Sequence, residues 1–282
     1  MEEHMTGGRL LELSGGFLTP RIVLTAAELG VFSRLEAGPK TVNDLCAAEG
    51  WDPRGLRILM DALTALGLLV TTTGGAYTLH PSVTDLLGTD PHRSVLPMIL
   101  HRVRMWNTWS NLTEIVRTGV NTAAGTLRSR PLEDLEAFIG AMQVIGRDVA
   151  VKIAGLIDLS PFRRLLDVGG GSGVYTAAFL GAAPHLTAAV FDLPEVVDIT
   201  RKWLSAAGLL DRVEIVPGDF HVDDLPGGYD LVLLSAIIHS NSPEGNRDLY
   251  AKAFRSLNPG GTILIRDYVM DETRTIPPEG AV

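Results

Sequence analysis

Five short patches of this 282-residue sequence carry side chains with chemistry to offer. In LLDVGGGSGVYTAAFL an apolar run passes through Asp167 into Gly169, Gly171 and Gly173, a strand running through a tight turn into a helix. Glycines there let the backbone approach a ligand with no Cβ in the way. A dinucleotide fingerprint needs a further glycine three residues after the second. Counting from Gly171 and Gly173 that place holds Thr176, and counting from Gly169 and Gly171 it holds Val174, so a nicotinamide-dependent oxidoreductase is the disfavoured alternative. Asp192, in VFDLP, follows at about 20 residues, the interval at which an acid can hold a ribose diol. Read alone, it is a strand-end turn residue. In PGDFHVDDLP, Asp219 can accept from an adenine amino group while Phe220 packs on the ring face. His239, in SAIIHS, and Asp267, in IRDYV, complete the set. Without further context a lone strand-end histidine reads as a hydrogen-bonded structural residue.

Positioning these groups requires a region of alternating strands and helices. RLLDVGG, TAAVFDL, RVEIVPGD, YDLVLLSA and GTILIRDYV read as strands, with helical crossovers around Tyr175, Val197 and Leu249. That alternation predicts a parallel, doubly wound sheet with its ligand at the carboxyl ends of the strands. The preceding half is helical. Apolar residues recur at helical spacing from about Leu10 to Leu69, with Thr41 and Asp52 as candidate N-caps. VTTTGGAYTL then reads as a hairpin. SVLPMILHRVRMWNTWSNLTEIVRTG and LEDLEAFIGAMQVIGRDVAVKIAGLIDL predict two long bridging helices separated by a link from Gly119 to Arg130. The expected division is a winged-helix-like domain over 1–100, bridging helices over 101–160 and a cofactor domain over 161–282.

Composition narrows the function classes. A net charge of −9 disfavours a nucleic-acid partner, since affinity for phosphates comes from Lys and Arg. Residues 1–100 hold 11 acids against 7 Lys plus Arg, and the helix that would read bases, Gly55 to Leu66, is mostly apolar, so an interface between copies is the better use for it. The single Cys46 cannot form an internal disulfide. No stretch reads as a signal peptide or membrane span, which predicts a cytoplasmic protein with no membrane partner. No thiolate cluster or His/carboxylate constellation calls for a metal.

The chain closely resembles the plant caffeate-type and bacterial small-molecule O-methyltransferases. The likeness rests on AAELGVF, LRILMDALTALGLL, LLDVGGGSG, FDLPEVV, GDF, LLSAIIHSNSPEGNRDLYAKAFRSLNPGG and LIRDYVMD. It implies an α/β fold: a Rossmann-like class I methyltransferase domain behind a mainly α, winged-helix dimerisation domain. It also implies S-adenosylmethionine as cofactor, a small-molecule substrate and a homodimer formed through the N-terminal domain. Under it, Asp167, Gly169, Gly171, Gly173, Asp192, Leu193, Asp219, Phe220 and Ser235 contact the cofactor. His239 acts as general base on a substrate hydroxyl and Asp267 orients it. Trp106, Trp109 and Met142 are the candidate substrate contacts, equally suited to a core.

Two departures stand out. Family members often follow the histidine with Asp-Trp and place a basic residue four positions before it, where this chain has Ser240, Asn241 and Ser235. They also continue beyond the fifth strand with a helix and two more strands, whereas this sequence stops at Val282. A shortened chain, a processed tail or a separate chain supplying the remainder would each fit, and the fifth strand would then be an open edge. C- or N-methylation, and a catalytically silent subunit, are the alternatives to O-methylation.

Overall fold

The structure is a computed structural model that describes residues 5–90, 93–121 and 131–281. The chain divides into two compact units, Met1–Gly125 and Thr126–Val282.

The first unit contains α1 (Gly7–Gly15), α2 (Leu18–Glu28), α3 (Val31–Glu36), α4 (Val42–Glu49), α5 (Pro53–Ala65), strands β1 (Leu69–Thr71) and β2 (Tyr77–Leu79), then α6 (Thr84–Leu87), α7 (Leu96–Ser110) and α8 (Leu112–Thr118). Both expected caps are made. The Thr41 hydroxyl accepts from Asp44 N while the Asp44 carboxylate accepts from Thr41 N, so two backbone donors at the start of α4 are satisfied reciprocally. Asp52 Oδ1 accepts from Gly55 N at 2.7 Å, with Pro53 in the first turn of α5 where no donor is needed. The apolar stripe of α5, Leu56, Met60 and Leu63, enters a core with Phe32, Leu35 and Leu69. The hairpin pairs Leu69 with Leu79 and Thr71 with Tyr77, and the Tyr77 hydroxyl ties it to Asp61 of α5 at 2.6 Å.

The first bridging segment is not one helix. It breaks at Asn111 into α7 and α8 because side chains there compete for the backbone: Ser110 Oγ donates to Trp106 O, and Asn111 Nδ2 to Asn107 O. Residues 122–130 of the expected link lie outside the described residues.

The second unit runs α9 (Leu132–Leu156), β3 (Arg164–Val168), α10 (Val174–Ala182), β4 (Thr187–Asp192), α11 (Pro194–Ala206), β5 (Val213–Pro217), β6 (Tyr229–Ser235), α12 (Pro243–Ser256), β7 (Leu257–Arg266) and α13 (Pro278–Ala281). Its five strands are parallel in the order β5-β4-β3-β6-β7. The sheet is covered on both faces. Leu165, Leu231 and Leu233 pack with α9 and α10, while Leu166, Val232 and Leu234 pack with α12. Two-sided burial explains why these strands read as unbroken apolar runs. After β3 the chain winds outward to β4 and β5 and then returns to β6 on the other side, which opens a crevice at the carboxyl ends of β3 and β6.

Arg212 joins the turn before β5 to the end of α10. Its guanidinium donates to the carbonyls of Leu180, Ala183 and Leu186 at 3.2, 2.9 and 2.8 Å. Helix ends leave such carbonyls without partners. Arg212→Met keeps the apolar stem but removes these bonds, leaving the Ala183 carbonyl only its bond from Leu186 N, and we expect a loss of about 2 kcal/mol. Chemical denaturation should show it as a lower midpoint with unchanged slope; an unaltered midpoint would mean that water replaces the guanidinium without cost.

Candidate active site

The turn after β3 is built on alternating left-handed residues, Gly169, Gly171 and Gly173, with φ of 66°, 57° and 77°. A side chain at these angles would be strained. Packing adds to this, since a Cβ on Gly169 would stand 3.0 Å from Ile237 and one on Gly173 2.9 Å from Leu204. Side-chain bonds from three neighbouring elements hold the turn in place. Thr200 Oγ1, on α11, donates to Gly171 O at 2.6 Å, Ser172 Oγ donates to Gln143 on α9, and Gly171 N donates to Asp192 Oδ2 at 2.7 Å.

Asp167 is buried beneath this turn and accepts from Thr176 Oγ1 at 2.7 Å. The residue that breaks the dinucleotide pattern is therefore the one that anchors this acid. Burial pushes the Asp167 carboxyl up to about 6, the Thr176 hydrogen bond opposing and the Asp192 charge adding to the rise. Asp192, at the end of β4, accepts from Leu193 N at 2.7 Å as well as from Gly171 N. Burial pushes it up to about 6 too, against those two amide bonds. Each oxygen retains a lone pair after its amide bond, so the carboxylate can still accept from a ligand.

Beyond β5, Asp219 Oδ1 accepts from His221 N, and the rings of Phe220 and His221 lie 4.4 Å apart. Lys252 of α12, almost fully buried, donates to Phe220 O at 2.8 Å and pairs with Asp248, fixing this loop from below. Beyond β6, Ala236 takes a left-handed φ of 55° and the chain enters a short turn that carries His239. The His239 Nδ1 lies 2.9 and 3.1 Å from the two oxygens of Asp267, at the end of β7. The same carboxylate accepts from the backbone amides of Ile238, His239 and Tyr268. Three backbone amides already donate to this carboxylate, so it meets the ring as an acceptor, which places the ring proton on Nδ1 and leaves the lone pair on Nε2. The Asp267 side chain is 1% exposed and the His239 side chain 55%, so the acid is sheathed while the base is open.

A cavity of about 660 Å³ joins these groups. Asp167, Gly169, Gly171, Asp192, Leu193, Asp219, Phe220, Ser235, His239 and Met142, all singled out in the sequence, line it. Gly173 does not, and stands instead at the start of α10 against Leu204; Asp267 sits behind His239. Trp106 and Trp109 lie on α7 of the first unit, where Arg21 stacks over Trp106 and Trp109 is exposed, and neither is among the lining residues. Sequence reasoning missed Thr176, Thr200 and Gln143 as supports of the turn, and Arg266 as a lining residue. Among the described residues, no helix is long and apolar enough to cross a membrane.

The O-methyltransferase domain family matches residues 109–281 and the O-methyltransferase dimerisation domain family matches residues 11–87. The chain is 31% identical over 277 residues to the tetracenomycin polyketide synthesis 8-O-methyl transferase TcmO of Streptomyces glaucescens, covering 96% of this chain and 81% of that protein. It is 31% identical over 284 residues to the 3-hydroxy-5-methyl-1-naphthoate 3-O-methyltransferase of Streptomyces sahachiroi, covering 97% and 80% respectively. Human N-acetylserotonin methyltransferase, solved in complex with S-adenosylmethionine, superposes with a TM-score of 0.80 at 28% identity over 98% of this chain and 84% of that one. None of these matches supports a separate chain that completes the fold. With a glycine turn, two strand-end acids and a His–Asp pair around one cavity, and with both domain families matched, the chain belongs to the O-methyltransferase family.

Proposed function

We propose that this protein transfers a methyl group from S-adenosylmethionine to a hydroxyl of a small aromatic acceptor. The observation that carries the reading is the His239–Asp267 pair, set on the rim of the cavity that the glycine turn and Asp192 also line. The residues present fit the cofactor. A volume of about 660 Å³ suits a nucleoside-sized ligand, the turn offers backbone without Cβ atoms, and Asp192 keeps lone pairs for a sugar diol. Asp219 and Phe220 would hold the adenine, with Leu193 beside the sugar. The cofactor supplies an electrophilic methyl carbon on a sulfonium.

The rest of the work falls to the protein. Nε2 of His239 takes the acceptor's proton, and Asp267 on Nδ1 fixes the tautomer and stabilises the imidazolium. A phenol near pKa 10 facing an imidazole near 6.5 would make complete transfer beforehand cost about 5 kcal/mol. Transfer concerted with attack lowers that cost. Asp167, Asp192 and Asp219 make the cofactor side of the cavity acidic, which favours a cationic ligand. Met142 gives adaptable apolar contact for an aromatic ring. The two relatives named for O-methylation of polyketide and naphthoate compounds support an aromatic acceptor for this chain.

We also propose a homodimer through the N-terminal unit. Helix α1 buries no residue, and Leu10, Leu11, Leu13, Phe17 and Leu18 are exposed along α1 and the start of α2. An exposed apolar row of that kind marks an interface.

Three outcomes follow. His239→Gln and Asp267→Asn should each lower kcat by about 100-fold or more while leaving S-adenosylhomocysteine affinity within about twofold; unimpaired turnover in both would remove the base from the mechanism. Because a sugar diol binds the ionised carboxylate, affinity for S-adenosylhomocysteine should be level above neutrality and fall below the Asp192 value of about 6, with protons released on binding in that range. Asp167 titrates nearby, so the profile belongs to the pair, and Asp192→Asn should weaken binding at neutral pH and flatten the profile. A flat wild-type profile would contradict the role of Asp192. Finally, light scattering should give twice the chain mass for the wild type and a monomer for Leu11→Glu; a monomeric wild type would overturn the dimer.

A further inference from the structure

Arg266 is the last residue of β7, the edge strand beside β6, and it lines the cavity. Side chains alternate along a strand, and Leu264, two positions earlier, packs on the α9 and α10 side of the sheet, so Arg266 lies on that face. Its side chain is half-buried, and nothing in the methyl transfer derived above uses it. Among the described residues nothing forms a hydrogen bond or ion pair with the guanidinium, and no other Lys or Arg lines the cavity. The cavity is therefore polarised along the sheet. Asp192 ends β4 and Asp219 follows β5, while the guanidinium stands at the opposite edge.

We propose that Arg266 selects acceptors that carry a carboxylate, so that the substrate is a hydroxyaryl acid held between His239 and this guanidinium. The inference rests on the cofactor and base assignments above and deepens them by naming the acceptor's second functional group. Displacement at the methyl carbon needs the acceptor oxygen, the methyl and the sulfur in line, so the acceptor lies beyond the methyl, away from the sugar. With the sugar at the end of β4 and the base on the turn after β6, that direction leads to β7. From β4 to β7 is three strand spacings, about 15 Å, whereas from β6 to β7 is one, about 5 Å. A single aromatic ring can bridge the shorter gap, with its hydroxyl at His239 and a substituent at Arg266. Phe138, Met142 and Ile145 of α9 line the same cavity and give the ring an apolar wall. A guanidinium presents paired donors that match a carboxylate, and a neutral acceptor would leave them without a partner. The opposed charges also orient the pair of substrates, the sulfonium towards the acids and the aryl carboxylate away from them.

The test is calorimetric titration of the full chain, saturated with S-adenosylhomocysteine, with ortho-, meta- and para-hydroxybenzoate and a hydroxynaphthoate, each against its own carboxamide. At least one acid should bind wild-type protein roughly tenfold or more tightly than its amide, and Arg266→Gln should erase that preference by weakening the acid, with Arg266→Lys in between. Affinity for S-adenosylhomocysteine itself should stay within about twofold in both variants, which also reports that they are folded. No preference for the acid in any wild-type pair, or a preference that survives Arg266→Gln, would overturn the proposal. So would a tenfold loss of S-adenosylhomocysteine affinity in Arg266→Gln, which would assign the guanidinium to the cofactor. Wild-type protein that binds no S-adenosylhomocysteine would sink the cofactor reading, and the acceptor assignment with it.

Discussion

The carboxylate of Asp192 holds the glycine turn through Gly171 N and the start of α11 through Leu193 N, yet it stands where burial makes its charge expensive. The two amide bonds offset part of that cost and define the turn, and nearly every other group at the site is placed relative to it. Asp167 lies behind the same turn and feels the Asp192 charge, so the two acids resist ionising together. Both are raised from the ordinary carboxylate range near 3.8 to about 6. In the ligand-free chain they therefore contribute stability while protonated, fully at pH below the unfolded value, and that contribution is lost as pH rises through about 6. The binding site is held together by charges that the fold alone would rather not carry, a conflict of the kind expected where structure serves a ligand.

Strand register transmits this order to the reacting end. Because β6 and β7 finish level, with Ser235 beside Arg266, the next residues of β7 deliver Asp267 to the turn that follows β6. Asp267 then binds both the amides and the imidazole of that turn, so backbone and side chain of His239 are positioned by one group. The left-handed Ala236 marks where the chain leaves the sheet to make that turn. Strain of this sort persists where surrounding contacts over-determine it, here through Ala236 N donating to Arg266 O.

Much of this was legible from residue types and local spacing. The glycine turn, Asp192 and the GDF segment are short motifs whose chemistry depends on neighbours in sequence, and the five strands are apolar runs that two-sided burial demands. Thr200 and Gln143 were not legible, since each meets the turn only after a helix has folded back on it, 29 residues away in both cases. Arg266 gave no signal in a strand read for its apolar residues; the register with Ser235 is what gives it a place. The break at Asn111 was hidden because side-chain competition with the helix is local and weak, while the apolar spacing on either side reads as continuous. The likeness to a known family supplied the roles of His239 and Asp267, which the residues alone left open.

The setting of Asp267 has a consequence for where protons end their journey. With three amides and Nδ1–H already directed at it, this carboxylate serves to hold the ring in place, and the open nitrogen, Nε2, is the one through which protons come and go. The imidazole, more than half exposed, faces the other way. In the proposed reaction each turnover therefore ends with Nε2 discharging its proton to bulk water or buffer. The protein needs no buried wire or internal proton store, and resetting the base for the next acceptor becomes a matter of solvent access.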